Sequence, residues 1–377
     1  MRTYFAMLLI GAIVSFLVTP LARRLAFVIG AVDKPDPRKI HRAPTARTGG
    51  WAVIAGFCAP WVCLYLHLLD NQVVRMFQTP ESQQIFLTLL ASGLVMFGLG
   101  VLDDLYSLNP KTKLAVQIAV AVAMYYGGFK ITKLTIPFAT SIPLVQLELP
   151  FTVLWIVGIT NATNLLDGMD GLVAGVAGVM ALSLAMIHII NENFLVALLT
   201  FSLAGAVLGF LPYNFTPARI FLGDSGSLFI GIIMAGISTT SQFKAATASL
   251  FFIAFLLLFA VPLFDTTQVV IGRLRRGQHP FSPDKTHIHH RLLRLGLNQR
   301  QAAILLYIIT LFLGVAAILL TVKVSPAAYA TLALTGILFA GILLALIRWV
   351  IQRRHARIPP PPHPPSSPLP PPTQPGS

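Results

Sequence analysis

A chain of 377 residues that is 55% hydrophobic and only 11% charged is too apolar to be a soluble domain of this length. Its formal net charge of +14, from 27 Lys and Arg against 13 Asp and Glu, sits in short stretches between apolar runs and reads as a topology signal, with no nucleic acid implied. The two cysteines, Cys58 and Cys63, share one apolar run at no metal-like spacing and read as small buried hydrophobes, which leaves no disulfide framework.

Apolar runs able to cover a bilayer of about 30 Å lie near 4–20, 49–69, 84–102, 112–127, 150–163, 171–190, 195–211, 226–240, 248–271, 301–322 and 327–348. The fold class they predict is all-α, a polytopic integral membrane protein of about 10–11 transmembrane helices. The runs near 112 and 150 are short, and the stretch 130–149 has room for a hairpin that does not cross. The basic residues Arg23 and Arg24 follow the first run and no small-residue cleavage site stands out, so it reads as an uncleaved span.

Placing the N-terminus outside puts 21 of the 27 Lys and Arg on inside loops, the bias expected for the cytoplasmic face. The C-terminus is then cytoplasmic too. Residues 1–350 form the predicted transmembrane domain. Residues 351–377 form a basic and then Pro-rich tail, ending "PPPPHPPSSPLPPPTQPGS", which cannot bury a core and is expected to be disordered.

Four polar regions are rich enough for chemistry: 33–48, 103–113, 161–170 with 212–225, and 272–300, all on the predicted cytoplasmic side. They hold Asp33, Asp36, Asp103, Asp104, Asp167, Asp170, Asp224 and Asp284; Asp265 lies inside an apolar run, near its inner end. Carboxylates at a membrane are costly and tend to pair, bind ions or line a site. An ion-coupled transporter would want such acids near the midplane and polar residues on both faces; here the candidates crowd one face.

In "GVLDDLYSLNPKTK", Asp103 and Asp104 would repel each other unless a cation or a proton is shared, and Lys111 and Lys113 suit a phosphate. In "NATNLLDGMDGL", Asn161 and Asn164 are three apart, as are Asp167 and Asp170, so helical continuation stacks them on one face. Their oxygens are hard ligands of the kind Mg²⁺ prefers. In "YNFTPARIFLGDSGSLFIG", Asp224 precedes a run whose opening amides, from Ser225 to Ser227, would favour an anion. Phe221 is equally a base-stacking ring or an interfacial anchor. In "DKTHIHHRLLRLG", His287, His289 and His290 suit a Zn²⁺ site or, among so many Arg residues, phosphate.

Together "DKPDPRKIHRAPTARTGG", "GVLDDLYSL", "NATNLLDGMDGL", "FLGDSGS" and "HIHHRLL" resemble the polyprenyl-phosphate N-acetylhexosamine-1-phosphate transferase family over about residues 1–325. The resemblance implies transfer of a sugar phosphate from a UDP-sugar to undecaprenyl phosphate, with release of UMP, in the plasma (inner) membrane of a bacterium. It implies Asp103 and Asp104 as the catalytic pair, acting as base or metal ligand, and Asp224 as a Mg²⁺ ligand (Mn²⁺ serving instead) with Asn164 beside it. Asp167 and Asp170 match the nucleotide end, Phe221 an aromatic on uracil with Asn214 nearby, and His287, His289 and His290 the mouth of the site. Lys111 and Lys113 are the expected phosphate contacts. The expected partners are a UDP-N-acetylhexosamine, undecaprenyl phosphate and membrane lipid, and a homodimer is allowed. Where the branch acting on UDP-N-acetylmuramoyl-pentapeptide has three consecutive His, this chain has Arg291 in the third place, which favours UDP-N-acetylglucosamine. The muramoyl-pentapeptide transferase is the alternative.

Overall fold

A computed structural model describes residues 1–33, 44–66, 79–135, 141–240, 248–278 and 286–322, together with the isolated positions 336 and 341. The chain divides into a unit Met1–Leu332 and a unit Ala333–Ser377; the expected last span and the Pro-rich tail fall outside the described residues. The helical bundle and the candidate site lie in the first unit.

The described residues form twelve α-helices: α1 (Arg2–Ile29), α2 (Gly49–Tyr65), α3 (Pro80–Tyr106), α4 (Pro110–Tyr126), α5 (Glu148–Leu166), α6 (Leu172–Ile190), α7 (Phe194–Asn214), α8 (Gly223–Thr239), α9 (Ala248–Leu258), α10 (Ala260–Arg275), α11 (Ile288–Arg294) and α12 (Gln299–Thr321). Ten of the expected spans coincide with helices. Six helical segments are long and apolar enough to cross a membrane, and α2 is a shorter apolar helix. The stretch 130–149 holds an antiparallel hairpin, β3 (Lys133–Thr135) against β4 (Ser141–Pro143). A second short pair, β1 (Val32–Asp33) with β2 (Thr45–Ala46), precedes α2.

Local signals set the helix ends that later frame the site. The Asn109 side chain accepts the Lys111 N–H and Pro110 opens α4, both favourable first-turn features. Asn298 and Gln301 close a reciprocal capping box on α12. The expected single span 248–271 is instead two helices broken at Phe259. Pro262 is the cause, because it has no N–H to donate to the Leu258 carbonyl one turn earlier.

Helix α8 is the centre of the bundle: every residue from Ser225 to Thr239 is buried, and it packs on α2, α3, α5 and α7. A helix apolar on all sides belongs in such a place. Helix α1 lies along α7, where side chains at Gly205 and Gly209 would strike the carbonyls of Leu8 and Ala12. Small residues four apart permit that approach. The C-terminal ends of α1, α3, α5 and α7 and the N-terminal ends of α2, α4, α6, α8 and α12 then gather at one end of the bundle, with the polar loops between them.

Candidate active site

The gathered loops line one cavity of about 690 Å³. It opens on Asp103, Asp104 and Lys113 from the α3–α4 turn, Asp167 and Asp170 from the α5–α6 turn, Asn214, Phe221 and Asp224 from the α7–α8 segment, and His290. Its centre is a charged triad. Lys113 Nζ stands 2.6 Å from Asp103 Oδ2 and 3.2 Å from Asp224 Oδ2. Leu108 N–H donates to Asp103 Oδ1 at 2.6 Å, and Asn164 Nδ2 donates to Asp224 Oδ1 at 3.1 Å and to Ser227 Oγ at 2.9 Å. Asn161, one turn earlier on α5, bonds Gln117 of α4 at 2.6 Å, which fixes the helix that carries Asn164.

Asp104 does something else. Its two oxygens accept the N–H groups of Asp224 and Ser225 at 2.9 and 3.0 Å. The anion expected on the opening amides of α8 is therefore a carboxylate supplied by α3. Close approach makes this possible: a side chain at Gly100, one turn before Asp104, would strike the Ser225 backbone. Gly223 turns into α8 at φ 74° with the Arg47 carbonyl and the Asp104 carboxylate crowding its Cα, a conformation and a space open to glycine. Adjacent helical residues point about 100° apart, so Asp103 and Asp104 take separate partners.

The nucleotide-end candidates split as well. Asp170 Oδ2 accepts the Ala218 N–H at 3.0 Å. Asn214 is buried and spent on structure, accepting Gly171 N–H at 3.1 Å and donating to the Ile220 carbonyl at 2.9 Å. Phe221 is pinned through its backbone to Ala46 and Gly49, leaving its ring on the cavity wall. Asp167 caps the end of α5 half-buried, and withdrawal from water, then the Asp224 and Asp104 carboxylates, push its carboxyl up to about 8.

The histidines take three different places. His290 lines the cavity. His287 is buried, with Nδ1 2.8 Å from Asp265 Oδ2. His289 is 2% exposed, and a side chain at Gly168 would meet its ring; burial holds His289 down to about 4, a neutral ring at physiological pH. Lys111 is exposed on the first turn of α4, away from the lining. Cavity residues that carried no individual role in the sequence are Asp33, Arg47, Ser107 and Gln299. Arg47 Nη2 pairs with Asp33 Oδ1 at 2.7 Å. The signal for it was the basic residue just before the Gly49–Gly50 pair, whose N–H groups bond the Phe221 and Leu222 carbonyls.

Six Asp side chains line this cavity with Arg47, Lys113 and His290, so even with the Asp167 carboxyl protonated the acidic groups outnumber the basic ones. A hard divalent cation fits that imbalance, and the oxygens of Asp103, Asp224 and Asn164 are the donors it prefers. Among the described residues no three His, Cys, Asp or Glu side chains form a ready metal cage. The three histidines in particular do not converge on one point.

Residues 86–242 match the model of glycosyl transferase family 4. A Bacillus subtilis (strain 168) protein named "Probable undecaprenyl-phosphate N-acetylglucosaminyl 1-phosphate transferase" is 36% identical over 83% of this chain and 83% of its own length. The chain belongs to the polyprenyl-phosphate N-acetylhexosamine-1-phosphate transferase family. The family likeness extends to the decaprenyl-phosphate N-acetylglucosaminephosphotransferase of Mycobacterium tuberculosis (strain ATCC 25618 / H37Rv), 35% identical over 90% of this chain and 88% of that one. It extends also to the undecaprenyl-phosphate alpha-N-acetylglucosaminyl 1-phosphate transferase of Escherichia coli (strain K12), 30% identical over 76% and 75%. In this transferase the matched segment runs from α3 to the end of α8 and so contains the charged triad.

Proposed function

We propose that this transferase moves N-acetylglucosamine 1-phosphate from UDP-N-acetylglucosamine to a polyprenyl phosphate such as undecaprenyl phosphate, releasing UMP. The carrying observation is the cavity in which Asp103, Lys113, Asn164 and Asp224 meet at the end of an apolar bundle. The family relatives, all named for N-acetylglucosamine phosphate transfer, support the same sugar and do not favour the muramoyl-pentapeptide alternative. The Lys and Arg bias supports placing that end at the cytoplasmic face of a bacterial plasma membrane.

An oxygen of the lipid phosphate attacks the sugar-bound phosphorus, and the bond to the UMP oxygen breaks with its electron pair leaving on UMP. The nucleophile is ionised near neutral pH, so positioning and charge neutralisation matter most. Asp224, Asp103 and Asn164 would hold Mg²⁺, which when bound offsets diphosphate charge and stabilises the departing UMP. Asp103, whose Oδ2 faces the Lys113 ammonium, stays ionised beside it, and the lipid phosphate reacts in its doubly ionised form. Asp104 fixes the amides of Asp224 and Ser225, so Asp224 stays aimed at the cavity. Asp167, Asp170 and Phe221 hold the uridine end, and His290 with Arg47 meets phosphate or sugar oxygens.

The test is UMP release by purified protein across several UDP-sugars, with and without polyprenyl phosphate. Release from UDP-N-acetylglucosamine that requires the lipid supports the reading. Release without lipid, or preference for a muramoyl-pentapeptide donor, overturns it.

A further inference from the structure

We infer that Asp265 is a positioning residue for His290: it clasps His287 and the first turn of α11 so that His290 enters the cavity. The inference rests on the transferase reading of that cavity. Asp265 is fully buried on α10, and each of its oxygens holds the histidine segment, with Gln268 Nε2 of its own helix adding a longer contact to Oδ1 at 3.3 Å. Oδ2 faces His287 Nδ1 at 2.8 Å, and Oδ1 accepts the Ile288 N–H at 2.6 Å. A buried carboxylate is costly unless its acceptors are satisfied. Here the backbone amide and imidazole that satisfy it belong to the N-cap and first residue of α11.

The consequence is register. Asp265 lies ten residues before Arg275 on α10, about 15 Å of helix, so the histidine segment is folded back along α10 rather than left at its end. From that anchor the next two histidines point to different places. His289 is seated against Gly168, and His290 is on the cavity wall. The rings of His287 and His289 stack with centroids 5.7 Å apart, and those of His289 and His290 are 4.3 Å apart. A shift at His287 is thereby passed to His290 through packed rings and a helix of seven residues. This gives the three histidines three tasks: anchor, spacer and contact.

Side-chain mimicry separates an anchor from a contact. Asn at position 287 keeps an N–H where Nδ1 was, whereas Gln reaches the place of Nε2. His287→Asn is expected to keep turnover within about threefold of wild type, while His287→Gln and Asp265→Asn lose about tenfold or more. Asp265→Asn combined with His290→Ala is expected to fall no more than about twofold below His290→Ala alone, since both act through one group. Hydrogen exchange in the solubilised full chain is expected to show faster amides across 288–294 in Asp265→Asn. That arm needs no turnover, so it judges the clasp even if the wild type releases no UMP and the transferase reading fails. Activity in His287→Gln but not in His287→Asn, multiplying losses in the double variant, or unchanged exchange each overturns the inference. Should Asp265→Asn fail to fold, the two His287 variants decide alone.

Discussion

Asp103 and Asp104 are neighbours in the chain with unrelated partners: Asp103 faces the Lys113 ammonium at 2.6 Å, and Asp104 binds the opening amides of α8 at 2.9 and 3.0 Å. One joins the charged triad of the cavity and the other ties α3 to the start of α8. Across the same space Lys113 links Asp103 to Asp224, so the pair contributes to a single centre by two routes.

This division predicts different phenotypes for two similar changes. Asp104→Ala removes a cap from α8, which is expected to cost about 1 kcal/mol or somewhat more and to lower the apparent melting point together with activity. Asp103→Asn should lower turnover with the melting point nearly unchanged. Thermal unfolding in detergent beside initial rates checks it; equal losses of stability in both variants would sink the division.

Divalent cation dependence follows from the surplus of carboxylates in the cavity. Excess chelator should silence the wild type, and Mg²⁺ or Mn²⁺ should restore it. Asp224→Asn should lose about a hundredfold or more, since it removes charge stabilisation at the transferring phosphate. Undiminished UMP release in excess chelator would exclude this mechanism.

Asp167 gives a pH signature to the ligand-free protein. Its carboxyl sits near 8 in the fold, through burial first and the Asp224 and Asp104 carboxylates next, against about 4 in an unfolded chain. Between those values the folded protein holds a proton that the unfolded chain has released, so stability falls as pH rises. In chelating buffer the melting point should drop from pH 5 to pH 8, and Asp167→Asn should flatten the slope. A wild-type melting point that rises over that interval would contradict the burial of this group.

Much of this was legible in the sequence. Apolar runs located nine single helices and one broken pair, and the acidic motifs named most of the cavity wall, because both signals are local. What was not legible depends on packing. Nothing in "LDD" says which carboxylate meets Lys113, since that is decided by the approach of α3 to α8 at Gly100. "HIHH" read as one cluster, yet Asp265, distant in sequence, takes the first ring for itself. Asn214, on the cavity wall, is also a brace between Gly171 and Ile220. The break at Phe259 was readable in principle from Pro262, but the continuous apolar run concealed it.

The Pro-rich tail should be dispensable. It has no apolar face to pack, so truncation after Arg357 is expected to leave turnover within about twofold, within the scatter of surface changes. A well-expressed truncation without activity would make the tail part of the site.

Lys113 offers a test of the cation seat that needs no substrate. Its ammonium lies between Asp103 Oδ2 and Asp224 Oδ2, with side-chain exposures of 22%, 8% and 32% for the Lys and the two Asp. Lys113→Met would leave two carboxylates facing one another without it, and an uncompensated charge in a partly buried place is destabilising. In chelator this variant should melt several degrees below wild type. A divalent cation that binds the folded state alone stabilises it by mass action, and here it would also take the place of the missing ammonium. Added Mg²⁺ should therefore raise the melting point of Lys113→Met more than that of the wild type, while turnover stays low for want of the positioned ammonium. Equal responses to Mg²⁺ in the two proteins would show that Asp103 and Asp224 do not share a cation, and the seat would have to lie elsewhere among the cavity carboxylates.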